Sequence, residues 1–291
     1  MKDNWREAKK FLNVFQQAYL AADKHDSWGK GNFHLSDAAD CTRKIWYRIM
    51  MDKFPELKTT LGYIEPEASI DMQMNLSIGH GLHEQLQTAF VKKMKWCNDA
   101  DVEIPLVIPE LCLKGSVDLV VPVEAVLRSA NELGITNLPA LTGTHIVIDI
   151  KSKRDDVVKI SKPGRPTERT HSFPDKVMKY PDDKYYIQIQ SYMKLLPELY
   201  PERYPEINLG LFLYVCKNDG RTLVVACEKD EEAGNIVKAK AAKMKTSIEE
   251  KIAPPREYTK SNNACKGWPT IMDNGSTEMK YGCPYYDICW R

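Results

Sequence analysis

The sequence predicts an α/β fold in which a mixed central sheet is flanked by helices. Short runs of β-branched residues bounded by turn residues are typical of strands, and apolar residues at helical spacing mark helices around them. Along the chain, helices come first and are followed by strands, a helix, a hairpin and a last helix, which favours one sheet between helices. A chain of 291 residues is long enough for one large domain.

Helical spacing is clearest in three N-terminal segments. Residues 3–23 form the first predicted helix, and residues 37–53 form the second, with Ser36 as its N-cap. A third helix is predicted near 76–97. Its apolar residues recur every four positions and mark a face directed at the core: Leu82, Leu86, Phe90 and Met94.

The strands predicted in the middle of the chain form two hairpins around a single strand. The first hairpin joins "VEIPLVI" to "CLKGSVDLVV", the single strand lies in "THIVIDIKSKR", and the second hairpin joins "NLGLFLYVCK" to "RTLVVACEK". Helices are predicted at 124–133, 184–197 and 229–252. The polar, proline-containing stretch at 152–183 is long enough to indicate a functional loop.

Composition is that of an ordinary globular protein, with 43% hydrophobic and 28% charged residues. A net charge of +1 excludes a uniformly basic nucleic-acid binder, so any nucleic-acid contact depends on local basic groups. No apolar run is long enough to span a membrane, and the charged N-terminus does not resemble a secretory signal. We therefore expect a cytoplasmic protein whose eight cysteines are thiols or metal ligands.

Two predicted strands each carry an acid among apolar residues. Asp118 lies in "GSVDLVV" and Asp149 in "IVIDIK", where Lys151 emerges on the same face because residues two apart in a strand point the same way. Two carboxylates from neighbouring strands can share one Mg²⁺ or Mn²⁺ ion, which offsets the cost of burying them. Alternatively, each acid is an ordinary buried carboxylate satisfied by hydrogen bonds.

These strands resemble the PD-(D/E)XK nuclease superfamily, with Asp118 as the first acid and Asp149-Ile150-Lys151 as the D-X-K element. Upstream, "GHGLHEQLQ" is similar to the G-x-x-x-H helix motif of the RecB-like exonuclease branch, at Gly79 and His83. Downstream, "QIQSY" is similar to the Q-x-x-x-Y motif of that branch. All four elements occur in the order found in the family.

The resemblance implies a restriction-endonuclease-like core and assigns roles to these residues. The metal ligands would be His83, Asp118, Asp149 and the Ile150 carbonyl, and Lys151 would be the catalytic lysine. Gln188 and Tyr192 would line the site and orient the lysine or the DNA.

Three of the cysteines lie in the irregular tail, and a fourth lies far upstream. Four thiolates hold either Zn²⁺ or an iron–sulfur cluster, and their number does not separate the two. The set comprises Cys41, Cys265, Cys283 and Cys289. It resembles the 4Fe–4S subgroup of RecB-like nucleases, which includes the CRISPR-adaptation nucleases and the nuclease domain of AddB. The wide gap between Cys265 and Cys283 departs from that pattern.

By the same resemblance, the chain is one nuclease domain over 1–291. The metal cluster would join the N-terminal helices, at about 1–55, to the cysteine-rich tail, at about 254–291. The other four cysteines (Cys97, Cys112, Cys216 and Cys227) are interpreted as small buried apolar residues.

Basic residues concentrate in the segment after the active strand and would attract DNA phosphates there. The candidate contacts are Lys153, Arg154, Lys159, Lys162 and Arg165. Aromatic residues of the tail either stack on DNA bases or surround the cysteine site, and the second role is favoured for Tyr286 and Trp290.

The resemblance implies a metal-dependent DNA exonuclease acting on ends, preferably of single strands, in phage or bacterial replication, recombination or repair. A separate helicase or recombination protein would be a partner, since the chain has no phosphate-binding loop of the G-x-x-x-x-G-K-[ST] type. Three alternatives stay open: CRISPR-adaptation-type trimming of DNA ends, a structure-specific endonuclease, and a weakly catalytic DNA-binding subunit.

Overall fold

The computed structural model describes residues 31–63, 70–136, 141–153, 158–160, 168–170, 183–217, 220–258, 268–271, 277–280 and 283–290. The strands are β1 (Phe33–His34), β2 (Val102–Ile108), β3 (Leu113–Pro122), β4 (His145–Lys153), β5 (Val158–Ile160), β6 (Glu168–Thr170), β7 (Ile207–Cys216), β8 (Thr222–Glu228), β9 (Trp268–Ile271) and β10 (Thr277–Lys280). The helices are α1 (Thr42–Lys53), α2 (Glu56–Leu61), α3 (Ile70–Thr88), α4 (Val123–Glu132), α5 (Asp183–Leu199), α6 (Glu231–Glu249) and α7 (Tyr286–Cys289).

Six of the strands form one open, mixed sheet. β2 pairs antiparallel along one edge of β3, while β1 and β4 share the other edge, parallel and antiparallel respectively. β4 pairs parallel with β7, which forms an antiparallel hairpin with β8. The parallel pair requires a crossover connection, and α5 lies within it. The structure thus confirms the predicted α/β fold with a mixed sheet flanked by helices.

The two faces of the sheet carry separate hydrophobic clusters. The larger cluster packs α1, α5 and α6 against one face, where it contains Val147 of β4 and Tyr192 of α5. The smaller cluster contains Ile146 and Ile148 on the other face, beside Phe90. Because side chains alternate along a strand, Asp149 emerges on the same face as Val147, towards α5.

An open apolar groove lies on the opposite face from Asp149. Its volume is about 1230 Å³, and its lining includes Ile146, Ile148 and Leu211. Val224, which also lines it, is 54% exposed. The groove includes none of the predicted metal ligands, so we treat it as separate from the candidate site.

Most predicted elements are confirmed within a few residues, but the start of the second helix is wrong. The helix begins at Thr42 and not at residue 37, and Cys41 occupies the N-cap position predicted for Ser36. The preceding residues are held differently because Phe33–His34 pairs with β3 and Asp37 accepts a 2.5 Å hydrogen bond from Arg48.

Three further helical predictions change in detail. α3 already includes Ile70, and a π-helical turn at Ala89–Lys93 follows it. Of the predicted core-facing stripe only Phe90 is buried: Leu82 and Leu86 are half-buried, and Met94 is 39% exposed. α5 continues through Pro197 to Leu199, because proline near a helix end removes only one backbone hydrogen bond. The helix predicted at 3–23 lies outside the described residues.

Asp101 anchors the 3₁₀ turn Asp99–Asp101 to the end of α5. Its carboxylate accepts hydrogen bonds from Asn98 N (3.0 Å), Arg203 (2.7 Å) and the Tyr204 hydroxyl (2.8 Å). Burial raises the pKa of Asp101, but these hydrogen bonds outweigh burial and leave the pKa below its usual value. A depressed pKa stabilises the fold above the unfolded-state pKa, and this contribution is lost as the pH falls through the folded-state pKa.

We expect Asp101→Asn to lower the free energy of unfolding at pH 7 by about 1–3 kcal/mol, the cost of weakening a buried hydrogen-bonded carboxylate. The difference in the free energy of unfolding between wild type and variant should become smaller as the pH falls below about 4. Urea unfolding at pH 7 and at pH 3 measures both effects. An equal difference in unfolding free energy at both pH values would contradict the stabilising role given to the Asp101 carboxylate.

Candidate metal centre

Three carboxylates lie in a row across three neighbouring strands. Val102 pairs with Leu119 and Ile104 with Val117, so Glu103 of β2 and Asp118 of β3 lie between the same two pairs. On the other edge of β3, Leu119 pairs with Ile148, and Asp118 and Asp149 are the next residues beyond this pair on the two strands. Asp118 is therefore flanked by an acid on each side, and its Oδ2 accepts a 2.7 Å hydrogen bond from Ile150 N.

Asp149 is the most deeply buried of the three, at 1% exposed. Its Oδ2 lies 2.6 Å from Lys151 Nζ. Its Oδ1 is also buried and has no hydrogen-bond partner among the residues that the structure describes. An ionised oxygen left without a partner in the interior is costly, and a bound cation is one of the few groups that offset such a cost.

His83 reaches the same site from α3. Its Nδ1 lies 3.6 Å from Asp118 Oδ2. Gly79, one turn earlier on the helix, allows this approach because a Cβ there would lie 3.1 Å from Ser152 Oγ and 3.3 Å from Lys217 Nζ. The predicted G-x-x-x-H pair thus combines a close helix–sheet contact with a histidine that lies beside Asp118.

Gln188 and Tyr192 of α5 hold Lys151 from the other side. Gln188 Oε1 accepts a 3.3 Å hydrogen bond from Lys151 Nζ, and Gln188 Nε2 donates to the Tyr192 hydroxyl at 2.5 Å. The ammonium also lies 4.7 Å from the centre of the Tyr185 ring, a cation–π contact that the sequence analysis did not anticipate. The six residues predicted as catalytic are therefore brought together between α3 and α5 and the strands β3 and β4.

The charges of the site act on one another. Burial raises the pKa of Asp118 well above its usual value, and the Asp149 carboxylate raises it further. Burial alone would lower the pKa of Lys151, but Asp149 and Asp118 outweigh it and raise that pKa. Burial and the Lys151 charge lower the pKa of His83, which favours the neutral imidazole that a metal ligand must be.

Glu103 is the site residue that the sequence analysis missed. A ligand atom of Glu103 lies within 4.8 Å of ligand atoms of both His83 and Asp118. Its Oε1 accepts a 2.7 Å hydrogen bond from Gln87, whose amide also donates to the Asp118 carbonyl at 3.3 Å. In sequence, Glu103 reads as a solvent-facing residue of an alternating edge strand, so only the register of β2 against β3 reveals it.

Three of the four predicted cluster cysteines line one small pocket. Cys41 precedes α1, while Cys283 and Cys289 flank and end α7, and the lining includes Tyr47 and Tyr286. Cys265 lies outside the described residues. Within the described part of the chain, the sulfurs of these three cysteines are not all within 4.8 Å of one another.

Polar contacts tie the tail to the start of α1 beside this pocket. Thr42 N and Oγ1 both donate to the Glu257 carboxylate. Arg256 donates to the Cys289 carbonyl at 3.0 and 2.6 Å, and its guanidinium lies 4.6 Å from the centre of the Trp290 ring. These contacts hold the cysteine-bearing segments together without involving the thiols.

The remaining cysteines and aromatic residues mostly behave as interpreted. Cys97, Cys216 and Cys227 are buried, but Cys112 is half-buried in the β2–β3 turn, where its φ of 51° is left-handed. Tyr285 is buried and stacks on Tyr47 and Tyr63, which is a packing role.

The predicted DNA-contacting residues are only partly placed. Lys153 is the last residue of β4, and Lys159 lies in β5, where it pairs with Arg169 of β6. Arg154, Lys162 and Arg165 lie outside the described residues. Their role in binding DNA stays a prediction.

Comparison with known proteins adds little. No protein-family model and no curated protein matches the chain. Among solved structures it is similar to SSO0001, with a TM-score of 0.40 and 13% identity over 85% of this chain and 89% of that one. A likeness this weak carries no functional argument. None of the described helices is both long and apolar enough to cross a membrane.

Proposed function

We propose that the protein is a metal-dependent DNA exonuclease of the RecB-like branch of the PD-(D/E)XK superfamily, with a restriction-endonuclease-like core. The observation that carries this proposal is Asp149: a fully buried carboxylate with one oxygen unpartnered among the described residues, beside Asp118 and Lys151. Hard oxygen ligands of this kind suit Mg²⁺ or Mn²⁺. The donor set therefore fits the metal that the sequence motifs imply.

His83, Asp118, Asp149 and the Ile150 carbonyl would hold the metal. A bound divalent ion lowers the pKa of a water and polarises a phosphate oxygen, which is the chemistry of phosphodiester hydrolysis. The Lys151 ammonium, kept charged by Asp149 and Asp118, stabilises negative charge that develops on the phosphate. Gln188 and Tyr192 position that ammonium, so they act through Lys151.

We further propose that Cys41, Cys265, Cys283 and Cys289 hold a structural 4Fe–4S cluster. The three described cysteines of this set line one small pocket, which supports a shared site. The resemblance to the iron–sulfur subgroup favours a cluster over a single zinc ion. Its role would be to join the start of α1 to the tail.

The test of the activity is cleavage of end-labelled linear and internally labelled circular single-stranded DNA by anaerobically purified protein. Reactions contain Mn²⁺, Mg²⁺ or EDTA. We expect metal-dependent loss of the linear substrate and survival of the circle. Cutting of circles would identify an endonuclease, and absence of cutting under every condition would favour a DNA-binding subunit. DNA-end trimming that requires an integrase partner would support the CRISPR-adaptation alternative.

A further inference from the structure

We propose that Glu103 is a ligand of a bound divalent cation, with His83 and Asp118, at a position next to the one at Asp149. This inference rests on the proposed function, because it adds a residue to the same metal centre. Asp118 would be the carboxylate common to both positions. His83, whose neutral imidazole has one donor nitrogen, would bind the cation at Glu103, which leaves Asp149 and the Ile150 carbonyl with Asp118 at the other position. Two such positions match the paired-cation arrangement of many phosphodiester-cleaving enzymes.

The first support is distance. One ligand atom from each of Glu103, His83 and Asp118 lies within 4.8 Å of the other two. Ligand atoms about 2.1 Å from one octahedral ion lie about 3–4 Å from one another, so small side-chain rotations suffice to bind it. The combination of two carboxylates and a neutral imidazole suits Mn²⁺ in particular.

The second support is an electrostatic conflict that a cation resolves. Ligand atoms of the Glu103 and Asp118 carboxylates lie within 4.8 Å of each other on neighbouring antiparallel strands, where like charges are destabilising. Glu103 also has a left-handed backbone, with φ at 48°, which a residue with a side chain adopts only at a cost. Gln87 nevertheless fixes the Glu103 carboxylate towards Asp118, through bonds to both residues.

The third support is independent of Glu103. Asp149 lies on the far side of Asp118 in the same row, is 1% exposed, and has an Oδ1 without a hydrogen-bond partner among the described residues. A buried carboxylate oxygen without a hydrogen-bond partner is a group that a cation would satisfy. Lys151 offsets only part of the negative charge, since the three carboxylates share one ammonium, which pairs with Asp149. Exposed Glu103 would thus hold the outer cation, and buried Asp149 the inner one.

The test is Mn²⁺ binding without DNA, measured by titration calorimetry and by the electron-spin resonance signal of free Mn²⁺. We expect Glu103→Gln to lose one bound Mn²⁺ per chain or to bind it at least tenfold more weakly. Glu110→Gln is the matched control, because Glu110 is an exposed acid in the turn that follows the same strand. Unchanged stoichiometry and affinity in Glu103→Gln would overturn the inference.

Thermal melting separates a ligand from a merely structural residue. Without metal, Glu103→Gln should melt at the same temperature as wild type or higher, because it removes the repulsion from Asp118. Mn²⁺ should raise the melting temperature of the variant by less than it raises that of wild type. If the variant melts at a lower temperature without metal, and Mn²⁺ raises both melting temperatures equally, Glu103 has a structural role.

Gln87→Met is a second variant that keeps all carboxylates. It should weaken Mn²⁺ binding less than Glu103→Gln does, because it frees the Glu103 side chain without removing it. Failure here is distinguishable from failure of the proposed function. If wild type cleaves DNA and Glu103→Gln binds Mn²⁺ normally, the proposed nuclease activity is supported and the proposed role of Glu103 is wrong. If wild type binds no Mn²⁺, both proposals are wrong.

Discussion

Asp149→Asn should reduce metal-dependent DNA cleavage by about a hundredfold or more, in line with the loss of a single group that stabilises transition-state charge. The amide keeps the size of the side chain but removes the negative charge that pairs with Lys151 and that would bind the proposed cation. Asparagine is a better choice than alanine because it leaves no cavity at a position that is 1% exposed. Initial rates on linear single-stranded DNA at saturating Mn²⁺ measure the effect.

The control for this experiment is Glu124→Gln, which removes the same charge from an exposed position on α4. It should cleave at the wild-type rate. Circular dichroism of Asp149→Asn should retain the wild-type helical signal, since Lys151 still faces Asp118. If Asp149→Asn cleaves DNA at the wild-type rate, Asp149 is not a metal ligand and the proposed mechanism is wrong.

Cys289→Ser should remove iron, sulfide and the brown colour from the anaerobically purified protein, and should lower its melting temperature. A fall of about 5–10 °C is expected if the cluster contributes a few kcal/mol, since 1 kcal/mol corresponds to about 2–4 °C in a chain of this size. The reason is that the pocket joins elements from opposite ends of the described chain. Cys41→Ser should reproduce both effects.

The control is Cys112→Ser, because Cys112 is a half-buried cysteine in the β2–β3 turn, outside the pocket. It should retain iron and colour. If the wild-type protein is colourless and contains stoichiometric zinc, the four cysteines form a zinc site and not an iron–sulfur cluster. Full iron content in Cys289→Ser would exclude Cys289 as a ligand.

Sequence reasoning places most of the site because strand periodicity fixes the direction of side chains. Asp149 and Lys151 share a face for that reason, and the apolar residues around them in the strand favour its burial. His83 and Gly79 lie one helical turn apart, which the motif spacing alone specifies. These relations are local, so the sequence is sufficient to predict them.

The relations that sequence reasoning misses depend on contacts between distant segments. Glu103 becomes part of the site only through its register against Asp118 and its left-handed backbone. α1 starts later than predicted because Phe33–His34 pairs with β3, and helix propensity does not reveal such a pairing. Tertiary contacts of this kind override local preference, and they decide where elements begin and which exposed residues matter.

The contacts that join α1 to the tail have a consequence for the synthesis of the protein. Trp46 donates to the Ser247 carbonyl, and Thr42 donates to Glu257, which is 215 residues further along the chain. During translation α1 emerges first, and these partners leave the ribosome only after the 201 to 215 residues that separate them from α1 have been made. Until then, the apolar side of α1 is exposed to chaperones and proteases, and cotranslational folding cannot finish before the cysteine-rich tail arrives.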